Sequence, residues 1–137
     1  MLVAVFADTH GHREALEAVI AAAQADGVDE LWSLGDMCGV GPDSEYVVAR
    51  TATTCRVALL GNHDYVARDG LSAACVDWMR QRRPAARRHG VQCWHGSPRN
   101  PVHEYVGRAN AVACLAAQKA DLGLVGHTHL AAAFSPR

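Results

Sequence analysis

Residues 2–11 read LVAVFADTHG, an apolar run that ends abruptly at Asp8 and His10. A short apolar run bounded by polar residues is typical of a strand that is buried on both faces. Strands of this kind belong to parallel sheets whose two faces are covered by other elements. The stretch therefore predicts a buried first strand with two polar side chains at its carboxyl end.

The same pattern, an apolar run followed at once by polar residues and glycine, recurs along the chain. Segments between the runs have helical periodicity, as where Leu16, Val19, Ile20 and Ala23 share one helical face. This alternation predicts an α/β layered fold with a mostly parallel central sheet. The predicted strands cover residues 2–7, 30–34, 56–60, 91–94 and 122–125, with a further strand starting at 130–134, and the predicted helices end near Gly27 or cover 44–51, 72–81 and 110–119.

The composition bounds the class of protein. The 137 residues suit one domain spanning residues 1–137, and the net charge of −1 gives no whole-surface attraction to nucleic acid or to an anionic membrane. The five cysteines are odd in number and lack a CxxC pair, which argues against a disulfide framework or a thiolate zinc site. No segment is long enough for a membrane helix, and the N-terminus lacks a basic signal region. We therefore expect a cytoplasmic protein.

Polar side chains follow each predicted strand at the point where the strand ends. Because the carboxyl ends of parallel strands meet at one edge of a sheet, these side chains should converge there. Carboxylates and imidazoles together suit Mn, Fe, Zn or Ni. Any one of these residues alone would be read as a turn or cap residue, and only their repetition favours a metal site. The set is Asp8, His10, Asp36, Asn62, His63, Asp64, His95, His127 and His129.

The order of these motifs resembles a known family. Asp-x-His-Gly at 8–11, Gly-Asp at 35–36, Gly-Asn-His-Asp at 61–64, the single His95 and Gly-His-x-His at 126–129 are similar to the motifs of calcineurin-like metallophosphoesterases. The stretches LGDMCGVGPD at 34–43 and HGSPR at 95–99 resemble the small bacterial phosphodiesterase branch. The resemblance extends from residue 2 to about residue 130.

The resemblance implies a fold, a reaction and a set of metal ligands. The fold would be a layered β-sandwich flanked by helices. The chain would be a dinuclear metal-dependent phosphoesterase, most readily a phosphodiesterase, in which a hydroxide bridging two divalent ions attacks phosphorus in line. One ion would take Asp8, His10 and His129, the second would take Asn62, His95 and His127, and Asp36 would bridge both.

Two further residues have implied catalytic roles. His63 would protonate the leaving oxygen or stabilise charge on the phosphoryl group, and Asp64 would orient its imidazole. The expected substrate is a small phosphate ester; a nucleotide or nucleic acid is a possible substrate that the sequence does not specifically indicate. The alternative is a non-catalytic scaffold or metal-binding protein of the same fold, against which the presence of His63 and Asp64 argues.

Other features of the sequence leave alternatives open. His12, where the family usually has Asn, would either touch the phosphate or face solvent in the first helical turn. Arg80, Arg82, Arg83, Arg87 and Arg88 would either steer an anionic substrate or form a solvated loop, which is the default. The connection from Asp64 to His95 is short, and few residues follow His129, so we expect a shortened second sheet. An open edge strand there would favour a homodimer.

Overall fold

A computed structural model describes residues 1–136 as two small sheets with helices packed against them. The two-sheet arrangement is the layered sandwich implied by the family resemblance, in place of one central sheet. In chain order the elements are β1 (Val3–Phe6), α1 (Arg13–Ala25), β2 (Glu30–Ser33), α2 (Ser44–Thr54), β3 (Cys55–Ala58), α3 (Asn62–Val66), a 3₁₀ turn (Ala67–Gly70), α4 (Ala73–Arg80), β4 (Ala85–Arg88), β5 (Val91–Trp94), α5 (Ala111–Ala117) and β6 (Gly123–Val125).

The two sheets differ in strand direction. The first has the order β1-β2-β3 and is parallel throughout. The second has the order β4-β5-β6, in which β5 runs antiparallel to β4 and parallel to β6. The strands β1, β2, β3, β5 and β6 all lead into the predicted polar clusters at their carboxyl ends. The parallel pairings therefore bring those clusters together at one end of the sandwich.

Alternating side chains of β2 separate two layers of core. Leu31 faces the helices and packs with apolar residues of α1, α2 and α4, such as Leu16 and Val48. Trp32 faces the other way and packs with Val57 and Cys93 between the two sheets. A strand that is buried on both faces requires apolar residues at every position, which is why the strands read as continuous apolar runs.

The arginine-rich stretch before β5 is not the solvated loop that was the default prediction. Residues Ala85–Arg88 form β4 and pair with β5, and Ala86 packs against the core between the sheets. The two strands are joined by His89 and Gly90, whose φ angles of +49° and +83° suit a tight hairpin turn. The small side chains of Ala85 and Ala86 allow this strand to lie against the core, while Arg87 is exposed and Arg88 pairs with Glu30 of the other sheet.

The strand predicted at residues 130–134 is not present. In the structure β6 pairs only with β5, and residues 131–136 have no regular secondary structure. Phe134 instead lines an apolar groove together with Leu115 and Leu122. The prediction was wrong because a segment can place apolar side chains in a groove without the alternating pattern of a strand. The second sheet accordingly has three strands among the described residues.

Glu30 joins the two sheets through an ion pair. Its carboxylate accepts hydrogen bonds from the Arg88 guanidinium at 2.7 Å and from the Trp32 indole at 2.8 Å. These donors, with His89 beside them, hold the pKa of Glu30 well below its ordinary value of 4.5. A carboxyl group with a lowered pKa stabilises the fold at higher pH, and the contribution disappears as acid protonates it.

We therefore expect Glu30→Gln to lower the melting temperature at pH 7. The difference from the parent protein should shrink as the pH falls below about 4.5, which thermal melts over a pH series would measure. Asp77→Asn is the control, because the Arg80–Asp77 pair is exposed and such pairs contribute little. An equal loss for both variants would contradict a special role for Glu30.

No helix of residues 1–136 is sufficiently long and apolar to span a membrane.

Candidate metal centre

Backbone hydrogen bonds extend the β1–β2 pairing beyond the strands and position the first polar residues. The N–H of Asp8 donates to the Gly35 carbonyl and the N–H of His10 donates to the Asp36 carbonyl, both at 2.9 Å. This continued pairing places the two loops side by side. The side chains of Asp8, His10 and Asp36 therefore lie together because the ladder between their strands does not stop at the strand ends.

A similar pairing positions the residues after β5 and β6. The N–H of Gly126 donates to the His95 carbonyl at 2.9 Å, so His127 lies beside His95. The N–H of His127 also donates to Asp8 Oδ2 at 2.9 Å. That bond joins the loop after β6 to the loop after β1, and it connects the polar ends of the two sheets.

The first cluster contains Asp8, His10 and His129. The Nε2 atoms of the two imidazoles lie 3.1 Å apart, and His129 Nε2 lies 3.4 Å from Asp8 Oδ1. His10 Nε2 lies 3.9 Å from the same carboxylate oxygen. One donor atom from each residue therefore faces a common point, as ligands of one cation would.

The second cluster contains Asn62, His95 and His127. His95 Nε2 lies 3.2 Å from Asn62 Oδ1 and 3.2 Å from His127 Nδ1. His95 is fully buried and His127 nearly so. An amide oxygen and two imidazole nitrogens again converge on one point.

Asp36 lies between the two clusters. Its Oδ2 is 3.7 Å from His10 Nε2 in the first cluster and 3.5 Å from His95 Nε2 in the second. Its Oδ1 accepts the backbone N–H of His63 at 2.9 Å. The carboxylate is thus held in place by one oxygen while the other faces both groups of imidazoles.

The far nitrogens of two histidines are occupied by backbone carbonyls. His10 Nδ1 lies 3.1 Å from the Cys38 oxygen, and His95 Nδ1 lies 2.9 Å from the Leu34 oxygen. Since a carbonyl only accepts hydrogen bonds, each Nδ1 carries the proton and each Nε2 presents a lone pair to the cluster. Metal-binding histidines are commonly held by such contacts.

Two kinds of observation fit these residues to divalent cations. First, Asp8 Oδ1 is buried without a hydrogen-bond partner among residues 1–136, as expected of an atom that coordinates a cation. Second, the backbone is strained at these side chains, and strain of this kind concentrates at functional sites. Positive φ angles between +47° and +67° occur at Asp8, His10, Asp36, His127 and His129.

His127 is kept uncharged by its surroundings. Burial lowers its pKa, and the neighbouring His95 lowers it further by repelling a second positive charge. The Tyr105 ring stacks on the imidazole with centroids 3.9 Å apart and covers it from solvent. A neutral imidazole is the form that binds a metal.

His63 is at the rim of the first cluster. Its ring contacts the His10 ring edge-on, with centroids 4.7 Å apart, and it shares a third group of potential ligands with His10 and Asp36. Its side chain is half-buried and lines the open pocket above the clusters. It can therefore reach a molecule bound in that pocket.

Asp64 is not placed to orient the His63 imidazole as expected. It is fully buried, and its two oxygens accept the backbone N–H groups of Cys38 and Gly61, each at 2.9 Å. Burial raises the pKa of Asp64, and these two hydrogen bonds act against that rise. With both oxygens engaged by backbone, Asp64 instead ties the start of α3 to the loop after β2 and so fixes the position of His63 through the main chain.

The remaining candidates lie outside the centre. His12 precedes α1, is exposed and makes no capping hydrogen bond. His103 is exposed, and His89 stacks on Trp32 at the hairpin turn. Arg99 lies 3.5 Å from Glu104 rather than in the pocket. For His12, this position favours the solvent-facing alternative.

Like Thr128, Tyr105 is a pocket residue that the sequence did not indicate. It lies in the loop between β5 and α5, is 63% exposed and lines the pocket above the clusters. The loop is held by buried Ser97, whose hydroxyl donates to Glu104, and by Asn110, whose amide donates to the Tyr105 carbonyl. A tyrosine in a loop has no spacing signal, and only the tertiary contact with His127 gives it a place in the site.

Comparison with known proteins gives the chain a family. Residues 1–136 match the calcineurin-like phosphoesterase superfamily domain, which is nearly the entire chain. The chain belongs to that superfamily. This confirms the resemblance found in the order of the motifs. In this phosphoesterase domain, the two clusters of donor atoms are formed by residues of the sequence motifs.

Solved structures support the same fold. A metallophosphoesterase from Sphaerobacter thermophilus is 30% identical, with a TM-score of 0.84 over 93% of this chain and 60% of that protein. The hypothetical protein PH1004 from Pyrococcus horikoshii is 18% identical, with a TM-score of 0.69 over 91% of this chain and 69% of that protein, and this likeness concerns the fold alone. The α/β sandwich is therefore confirmed.

A curated relative matches over a shorter stretch. The uncharacterised protein MJ0912 from Methanocaldococcus jannaschii is 33% identical over 64 residues, which is 47% of this chain and 26% of that protein. The phosphoesterase domain described here thus spans about a quarter of MJ0912 and 60% of the Sphaerobacter protein.

Gly61 must lack a side chain for Asp36 to occupy its position. A Cβ atom at residue 61 would overlap the Asp36 carboxylate and would lie 2.6 Å from the His95 ring. We expect Gly61→Ala to displace Asp36 and to reduce Mn²⁺ or Zn²⁺ affinity by more than about tenfold, as measured by calorimetry. Gly70→Ala is the control, because a Cβ atom there meets nothing within 4 Å. Unchanged affinity in Gly61→Ala would show that Asp36 does not hold the metal.

Proposed function

We propose that this chain is a dinuclear metal-dependent phosphoesterase that acts on phosphodiesters. The observation that carries the proposal is the position of Asp36, whose Oδ2 lies within 3.7 Å of donor nitrogens in both clusters. A single carboxylate facing two groups of ligands is suited to two divalent ions, and a protein that only binds one metal has no need of it.

The proposed ligand sets follow the two clusters. Asp8, His10 and His129 would hold one ion, Asn62, His95 and His127 would hold the other, and Asp36 would contact both. When bound, two such ions lower the pKa of water and neutralise charge on a phosphoryl group. The mixture of carboxylate, amide and imidazole suits Mn, Fe, Zn or Ni, with manganese a first choice for testing.

The protein's own contribution is to hold the donor atoms rigidly and to protonate the leaving group. The carbonyl contacts of His10 and His95 fix which nitrogen faces the centre. His63 lines the pocket without a hydrogen bond from its ring to other residues of 1–136, so its imidazole is free to donate a proton to the departing oxygen. Asp64 acts as a positioning residue that holds the His63 backbone.

The pocket favours a small ester with groups that extend outward. Its volume is about 210 Å³, and it is open to solvent beside His129, whose side chain is 58% exposed. A phosphoryl group can enter it while two ester groups remain outside. This open shape is compatible with a diester, since no wall among the described residues closes around the second substituent.

The experiment that tests the proposal compares two chromogenic esters. Metal-free protein would be loaded with Mn²⁺, Fe²⁺, Zn²⁺ or Ni²⁺, its metal content measured, and hydrolysis of bis-p-nitrophenyl phosphate compared with that of p-nitrophenyl phosphate. We expect about two metal ions per chain and faster hydrolysis of the diester. Folded, metal-loaded protein that hydrolyses neither ester would instead support the non-catalytic scaffold.

A further inference from the structure

A groove between the edge strands β3 and β4 is lined largely by arginines. Its volume is about 260 Å³, and its walls come from residues 56–59 on one side and residues 81–88 on the other. Five of the thirteen basic residues of the chain border this one groove. They are Arg56, Arg82, Arg83, Arg87 and Arg88.

Most of this charge is not neutralised by the protein. Arg88 is paired with Glu30 across the sheets. The other four arginines form no salt bridge with any carboxylate of residues 1–136. A protein of net charge −1 therefore has a strongly positive groove on one side. Such a concentration attracts anions locally although the chain as a whole does not.

The groove has a shape as well as a charge. Its lining includes Val57 of β3, Leu59 just after that strand, and Ala85 and Ala86 of β4, so it runs along two short strands. Arg82 is held against the Trp78 ring at 5.0 Å, and its Nε is buried without a partner among the described residues. The groove is open to solvent, and its volume of about 260 Å³ is small compared with a duplex, so a single extended strand is the occupant that fits it.

Backbone hydrogen bonds join the groove to the strand ends that carry the proposed metal ligands. The N–H of Leu60 donates to the Arg83 carbonyl at 3.0 Å, and Leu60 is followed directly by Gly61 and Asn62. The N–H of His95 donates to the Pro84 carbonyl at 2.9 Å. Asn62 thus follows one wall of the groove in sequence, and His95 is hydrogen-bonded to the segment that forms the other wall.

We propose that this groove binds the phosphodiester backbone of a single-stranded nucleic acid. Guanidinium groups bind phosphate oxygens in pairs, and basic grooves that follow a single-stranded backbone are the usual mode of sequence-independent binding. The assignment of an oligonucleotide as the substrate class rests on the proposed phosphodiesterase function. The binding site itself does not depend on it.

The test measures binding in a chelating buffer, so that no hydrolysis occurs during titration. Fluorescein-labelled ten-nucleotide probes, one of deoxythymidine and one of uridine, would be titrated with the full chain and followed by fluorescence anisotropy. The variant combines Arg56→Gln, Arg83→Gln and Arg87→Gln, and the control with the same change of charge combines Arg80→Gln, Arg108→Gln and Lys119→Gln, which are exposed elsewhere.

We expect the groove variant to weaken binding by more than about tenfold, and the control to change it by less than about twofold. The slope of log affinity against log salt should fall by about two in the groove variant alone, since three phosphate contacts are lost. A preference for the DNA or the RNA probe would identify the polymer and support the proposal.

Several outcomes would overturn the proposal. It fails if the wild-type chain binds neither probe, if the control variant loses as much affinity as the groove variant, or if a polyglutamate peptide binds as tightly as the oligonucleotides. Hydrolysis of bis-p-nitrophenyl phosphate separates this result from the proposed function, because the groove variant should retain it. If the wild type lacks that hydrolysis but binds the probes through the groove, the enzymatic proposal fails and the binding site stands.

Discussion

Replacing His63 with asparagine should reduce turnover of bis-p-nitrophenyl phosphate by about 10²–10⁴-fold while leaving the metal content unchanged. His63 lines the pocket but lies at the edge of the first cluster, where its ring touches the His10 ring at a centroid distance of 4.7 Å. Asparagine can still make a hydrogen bond but cannot transfer a proton at neutral pH. The loss should therefore appear in kcat more than in KM.

The matched control is His89→Asn. His89 lies at the hairpin turn with a φ of +49°, a conformation that asparagine tolerates well. We expect its activity to equal that of the parent protein. Metal analysis beside the kinetic assay decides whether His63 is a proton donor or a metal ligand. Loss of one metal ion in His63→Asn would make His63 a ligand, which its grouping with His10 and Asp36 allows.

Replacing Asp36 with asparagine should have the other large effect. The buried carboxylate is the one group shared by both clusters, so its loss should lower metal content at both sites and reduce activity by more than about 100-fold. The amide oxygen can still accept the His63 N–H, so local structure should be preserved. We also expect the metal-free variant to melt at the same temperature or higher, because a buried negative charge near Asp8 and Asp64 has been removed.

The control for this prediction is Asp43→Asn, which removes a carboxylate at the start of α2 that makes no capping bond. Its metal content and activity should remain those of the parent protein. A lower melting temperature of metal-free Asp36→Asn would point to a purely structural carboxylate. Full metal content in that variant would remove the basis of the dinuclear proposal.

Much of the site was predictable because its residues occupy strand ends. In a parallel sheet the carboxyl ends share one edge, so the sequence pattern alone predicts that residues such as Asp8, Asp36 and Asn62 lie together. Crowding at these strand ends explains why glycine recurs beside the predicted ligands. Gly61, for example, is required because any larger residue would occupy the space of the Asp36 carboxylate.

Other features could not be obtained from local patterns. Asp64 follows His63 directly and was expected to hold its ring, yet the turn into α3 directs the carboxylate to backbone donors of Cys38 and Gly61. The direction of a side chain depends on the φ and ψ angles of the turn, which residue types do not determine. The hairpin turn at His89 and Gly90 was likewise not evident from residue types. It allows Ala85–Arg88, part of the arginine-rich stretch, to pair with β5 as a strand.

From the sequence, the order of the motifs indicated the family and, through that resemblance, the layered fold, while the recurrence of apolar runs with polar ends indicated which residues gather at the strand ends. The tertiary structure decided how those residues face one another. It placed Asp36 between two sets of imidazoles, engaged Asp64 with the main chain and laid Tyr105 over His127. It also aligned arginines from β3 and β4 along one groove. Contacts of this kind join segments far apart in the chain, and only packing of the two sheets brings them together.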